Sequence, residues 1–154
     1  MAKKSINLVA QITCVMTEFV SEVKTLPFSE RKIYEVLSDL SNLERVRDRI
    51  SHDKVKDFSF DTDSCSFFIN PVGKIRFYIV DREPYKTIKF AVDQVPIGVN
   101  MWIQLKESEP GVTKMKLTVR AELNPFLKPM LSKPLQEGVN KVADILADVP
   151  YNEI

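Results

Sequence analysis

The 154-residue chain sets Lys+Arg 22 against Asp+Glu 21, a net charge of +1, which excludes the strongly basic footprint of a protein that grips DNA or RNA. With 44% hydrophobic and 28% charged residues, it has the composition of one globular domain whose core needs no disulfide or metal. Two cysteines, Cys14 and Cys65, are too few for a disulfide framework and predict a reduced, cytoplasmic setting.

The chain opens with Met1-Ala-Lys-Lys-Ser5 and the apolar stretch Ile6–Val15, the outline of a signal peptide. Asn7, Gln11 and Thr13 break that stretch, and no small-x-small cleavage site follows. Residues 1–15 are therefore expected to be a disordered extension, with a single domain over 16–154. No apolar run reaches the ~20 residues that span a bilayer, so stable membrane insertion is not expected.

Alternation at Phe19, Ser21, Val23 and Thr25 predicts one half-buried strand over 17–26, ended by Pro27. Ser29 is the expected N-cap of a short helix carrying Ile33, Val36, Leu37 and Leu40. Ser41 is expected to cap a second, carrying Leu43, Val46 and Ile50. From Lys54 the period becomes two, giving strand-like runs at 54–61, 64–70, 74–82, 86–94, 99–108 and 112–122. Their separators are turn chemistry, such as Asn70-Pro71-Val72-Gly73 and Glu109-Pro110-Gly111. Links this short join antiparallel neighbours, so the runs form a meander.

Within it, Cys65, Phe67, Ile69, Ile75, Phe77 and Ile79 fall on one face. Ile88, Phe90, Val92, Met101, Ile103, Leu105, Met115, Leu117 and Val119 continue that face. Lys74, Arg76, Lys89, Gln104, Lys106, Lys116 and Arg120 occupy the other, so one side is apolar and one wet. Asn124-Pro125 reads as a helix start. Behind it Leu131, Leu135, Val139, Val142, Leu146 and Val149 make an apolar stripe. Pro129 and Pro134 predict a kink, or a true start near Ser132, and Pro150 stops the helix.

This order, with Phe28–Leu43, Trp102-Ile-Gln-Leu105, Lys114–Val119 and Lys133-Pro-Leu-Gln-Glu-Gly138, resembles the START-like, helix-grip superfamily. That group includes polyketide cyclase/dehydratase-like, coenzyme Q-binding and birch-pollen-allergen proteins. Within it the chain is most similar to small bacterial SRPBCC proteins of the Bacteroides type, over residues 17–150. The resemblance implies an α+β fold, a curved antiparallel sheet of about seven strands around a long C-terminal helix. It also implies a small hydrophobic or amphipathic ligand (lipid, quinone or polyketide-like) between sheet and helix. A shared fold does not transfer an activity.

The ligand-binding residues expected on this reading come from both walls. The sheet offers Phe67, Ile69, Phe77, Ile79, Phe90, Met101, Ile103, Met115 and Leu117. The helix offers Leu131, Leu135, Val139 and Val142. Tyr34, Gln136 and Asn140 are candidates for orienting a polar end, as are Ser21 and Thr25 on the first strand's inner side. The plainer alternative is that the apolar residues fill a solid core and the polar ones face water.

Catalytic chemistry is thin. His52, the one histidine, sits beside Asp53 in a polar stretch; it is a general base or metal ligand, or simply a solvated loop residue. No second histidine or cysteine pair completes a metal shell, so neither a metal nor a cofactor is expected. Asp61/Asp63 and Glu107/Glu109 fall at hairpin ends, where carboxylates serve turns. Arg45, Arg47, Arg49, Lys54 and Lys56 are interleaved with acids that cancel their field. Trp102 and Tyr78 on the wet face, and the loop Val95-Pro96-Ile97, are candidates for a pocket cover, a membrane contact or a homodimer interface. Two rivals to ligand binding stand: a cyclase/dehydratase-type enzyme in the same cavity, and a solid-cored protein-interaction module.

Overall fold

The computed structural model describes residues 15–49, 55–69, 73–95 and 97–154. The signal-like start, His52 and the Asn70-Pro71-Val72 turn lie outside the described residues. Eight antiparallel strands form one sheet: β1 (Val15–Val20), β2 (Lys24–Leu26), β3 (Val55–Phe60), β4 (Ser64–Ile69), β5 (Gly73–Glu83), β6 (Thr87–Asp93), β7 (Val99–Glu109) and β8 (Val112–Leu123). Their spatial order is β1-β8-β7-β6-β5-β4-β3, with β2 also on β8. Five successive hairpins give the meander, and the chain's first segment closes the far edge against β8. Among the described residues two α-helices complete the fold, α1 (Glu30–Leu37) and α2 (Leu127–Ala147).

The single strand expected over 17–26 is two strands. Val20 pairs with Thr118 but Lys24 with Met115, so four steps along this segment match three along β8. The extra residue turns every later side chain to the opposite face. Val23, expected inside, is 58% exposed, and Thr25 is exposed, its hydroxyl accepting from Lys114 Nζ. Leu26 takes the buried position instead. Ser21 holds the break: its backbone N–H donates to Leu117 O, and its hydroxyl accepts from Leu117 N and donates to Glu22 O.

Ser29 caps α1 as its sequence predicts, its hydroxyl accepting from Lys32 N at 3.1 Å. The following segment, Leu40–Arg49, is a 3₁₀ helix interrupted at Val46 rather than a second capped α-helix. Asp39, not Ser41, opens it: Asp39 Oδ1 accepts from the Ser41 backbone and hydroxyl. The carboxylate of Glu107 accepts from Glu30 N while that of Glu30 accepts from Glu107 N, each at 3.0 Å. This reciprocal pair latches the start of α1 to β7, and Lys86 Nζ donates to Glu30 at 3.2 Å.

Asn124 Oδ1 accepts from Phe126 N and Leu127 N, so its capping chemistry is as expected. The helix proper starts at Leu127, earlier than Ser132. Pro129 falls in the first turn, where no N–H has an intrahelical partner to lose. Pro134 lies inside the helix. Beyond Pro150 a short 3₁₀ turn, Tyr151–Glu153, tucks Tyr151 into the core, with its hydroxyl donating to Leu146 O at 2.6 Å.

The dense core lies under α1 and the long strands, where Ile33, Leu37, Ile88, Met115, Leu117 and Tyr151 are fully buried. Helix α2 packs chiefly on β8, β1 and β2. Its exposed face is tied down there: Gln136 Nε2 donates to Val20 O, Asn140 Oδ1 accepts from Glu22 N, and Asp144 pairs with Lys24. The helix thus grips one end of the sheet. Strands β3–β5, at the other end, face it across a gap.

Candidate functional site

The gap is a cavity of ≈ 470 Å³, within the size range of small-molecule sites. Its sheet wall is aromatic. Phe60 stacks on Phe58, Phe58 leans on Phe67, and Phe67 stacks on Phe77 at 5.5 Å and 18°. All four line the cavity, joined by Val55, Cys65, Ile75, Val92, Val99, Met101 and Val119. Phe90 stands edge-on behind Phe77 at 6.4 Å. The helix wall is aliphatic: Leu127, Leu131, Leu135, Val139, Val142, Ile145 and Leu146 share one face of α2. Gly138 opens that face further, since a Cβ there would meet nothing within 4 Å.

Of the residues expected from the sequence, Phe67, Phe77, Met101, Leu131, Leu135, Val139 and Val142 come together around this space. Ile79, Phe90, Ile103, Met115 and Leu117 lie in the packed core instead. Ile69 belongs to β4, but its side chain is outside the described residues. Tyr34 is buried beneath α1, edge-on to Tyr85 at 5.5 Å, and does not reach the cavity. Gln136 and Asn140 bond to the backbone at the β1–β2 break, as described above. Ser21 does the same from its own strand.

Part of the lining that sequence reasoning missed comes from irregular backbone. Asp57 has φ 59, and Lys56 pairs with Phe68 while Ser59 pairs with Ser66. That bulge puts Val55, Phe58 and Phe60 on one side despite their uneven spacing. The signal was the broken alternation of Val55-Lys-Asp-Phe58-Ser-Phe60. Val95 and Ile97 of the β6–β7 loop also line the cavity, so part of that loop serves as cover. Trp102 on the outer face lies between Lys89 and Arg120, 5.3 and 5.1 Å from its ring, and Tyr78 carries Arg76 at 5.2 Å. Cation–π contacts thus cover both rings with the sheet's own charges.

Among the described residues, the ionisable side chains in the wall are Cys65 and Lys141. Burial pushes the Cys65 thiol up to about 12, so it stays a neutral, weakly polar group at physiological pH. Lys141 has no carboxylate partner among the described residues. Neither His, Asp, Glu nor Tyr lines the cavity among the described residues. Asp61 instead closes its hairpin: its carboxylate accepts from Asp63 N, Ser64 N and the Ser64 hydroxyl. The Ser64 bond, above all, holds that carboxyl below the usual range. Among the described residues no cluster of His, Cys, Asp and Glu could hold a metal, and no helix is long and apolar enough to cross a membrane.

No protein-family model matches the chain, and no curated protein does. Solved structures do. Norcoclaurine synthase from Thalictrum flavum, in complex with dopamine and hydroxybenzaldehyde, superposes with a TM-score of 0.69 at 11% identity, covering 91% of this chain and 89% of that one. A START superfamily protein from Mycobacterium smegmatis gives 0.61 at 13% identity over 86% of this chain and 94% of that one. A conserved protein from Geobacillus kaustophilus gives 0.58 at 15% identity over 86% and 93%. The chain therefore has the START-like, helix-grip fold.

Proposed function

We propose that this protein binds a small hydrophobic or amphipathic molecule in the space between its sheet and α2. The observation that carries the reading is a ≈ 470 Å³ cavity whose wall is almost wholly apolar. Left empty and dry, a void of that size would cost about 11 kcal/mol at ~24 cal/mol per Å³, as much as the net stability of a typical domain. Water gains few hydrogen bonds from such a wall. An apolar guest regains the lost contacts with the phenylalanine ladder and the aliphatic helix face. Phe67, Phe77, Met101, Leu131, Leu135, Val139 and Val142 are its proposed contacts, in a protein of the reduced cytoplasm.

The enzyme reading would need a group in the wall that gives or takes a proton near neutral pH. A thiol at about 12 is poorly suited to that, which favours holding over converting the guest.

Native mass spectrometry of the purified protein, before and after solvent extraction, tests the proposal together with binding of the neutral probe N-phenyl-1-naphthylamine. A retained apolar compound, or probe fluorescence saturating at one site, is expected. Gly138→Leu should fill the cavity, keep the fold and remove probe binding. Absence of any bound compound and of probe binding, or full binding by Gly138→Leu, would overturn the reading.

A further inference from the structure

Among the described residues, the cavity wall carries one formal charge. Lys141, half-buried on α2, is the charged side chain among the described lining residues, and it has no ion-pair partner there, unlike Lys24, which is held by Asp144 on the same helix. On its own helix the acids within reach are Glu137, one turn back, and Asp144, three residues on. Neither pairs with Lys141, and Asp144 is held by Lys24.

Its position on the helix also matters. At about 100° per residue, Leu135, Val139 and Leu146 occupy the flank of the cavity stripe nearest Gln136, which is bonded to β1. Pro134 and Lys141 occupy the opposite flank, where Pro134 is exposed. A lysine so placed lays its methylenes along the apolar wall and keeps its ammonium at the wet margin. A greasy chamber with one unneutralised ammonium at its edge matches a molecule that is apolar at one end and anionic at the other.

We propose that the guest is an amphiphilic carboxylic acid whose carboxylate is held by Lys141 while its tail fills the phenylalanine-lined chamber; this rests on the cavity reading above. One ammonium matches one negative charge, which favours a carboxylate over a dianionic phosphate. At ~30 Å³ per water-sized unit, the cavity takes roughly 15 such units, the scale of a medium-chain acid.

The test compares dodecanoate, dodecanol and dodecylamine, equal in tail and different in head, by displacement of N-phenyl-1-naphthylamine below their micellar concentrations at pH 7.5. Wild-type protein should bind dodecanoate most tightly and dodecylamine least. Lys141→Gln should weaken dodecanoate by about tenfold or more, the scale of a charge-assisted hydrogen bond at a partly wet site, and leave dodecanol unchanged. Lys141→Arg should keep most of the preference. Circular dichroism and a melting curve confirm that each variant is folded. Equal wild-type affinity for dodecanoate and dodecanol, or a Lys141→Gln variant that loses both or neither, overturns the assignment of Lys141 while probe binding still upholds the cavity. If the probe itself does not bind wild-type protein, the cavity reading fails first.

Discussion

Asp61 and Cys65 lie four residues apart at the β3–β4 turn, and their pKa values shift in opposite directions for opposite reasons. The Cys65 thiol is walled in by apolar groups, so its charged form is disfavoured and its value rises to about 12 from 9.0. Its thiolate fraction at pH 8 should be lower by about a thousandfold than that of an open thiol. In a Cys14→Ser background, iodoacetamide should therefore modify folded protein far more slowly than urea-unfolded protein; equal rates would show an accessible, ionised Cys65. Asp61 is hydrogen-bonded in its charged form, and its folded value is depressed. The stabilisation is present above its unfolded value, about pH 4, and is lost as pH falls through the folded one. Asp61→Asn should lower the melting temperature at pH 7, and that difference should shrink toward pH 3.

At the scale of elements, α2 is a compromise. Pro134 sits within it and removes one intrahelical hydrogen bond, yet it also lines the cavity beside Leu131 and Leu135. Pro134→Ala should stabilise the protein by about 1–3 kcal/mol, read from urea unfolding, because alanine restores the missing donor and the position is exposed. A loss of stability instead would show that the ring packs productively. Much of this element was legible in the sequence: the stripe from Leu131 to Val149 faces inward as its spacing predicted, and Asn124 supplies the cap. The meander was equally legible, since four of its five turns carry a proline or glycine and the other, Asp61-Thr62-Asp63, carries a capping carboxylate. Backbone irregularities were not. One extra residue near Ser21 turned Val23 and Thr25 outward, and another at Asp57 turned Phe58 inward. Both depend on which partner residues the neighbouring strand offers, and a period count within one strand does not contain that information. Tyr34, Gln136 and Asn140 illustrate a second limit. Their polarity marked them as candidates for a guest, while the nearer demand was the protein's own: Gln136 and Asn140 satisfy backbone groups at the strand break, and Tyr34 packs under α1.

For the whole molecule, the START-like fold accounts for where a cavity falls and leaves its chemistry to the side chains. A guest that binds only the folded state stabilises it by RT ln(1 + [L]/Kd), about 2.7 kcal/mol at a hundredfold excess over Kd. For a chain of this length that corresponds to a rise of roughly 8 °C in melting temperature. Differential scanning fluorimetry with dodecanoate should show such a rise for wild-type protein and none for Gly138→Leu.

The one-sided seating of α2 has a mechanical corollary. Strands β7 and β8 are clamped between neighbours and roofed by helix, whereas β3 is an edge that meets the Leu40–Arg49 segment and lies across the cavity from α2. Amide protons of β3 and β4 should exchange with deuterium well before those of β7 and β8, and a bound guest should slow the first group alone. The protein would then load by loosening its β3 edge, with the clamped half acting as a fixed jaw against which the other swings.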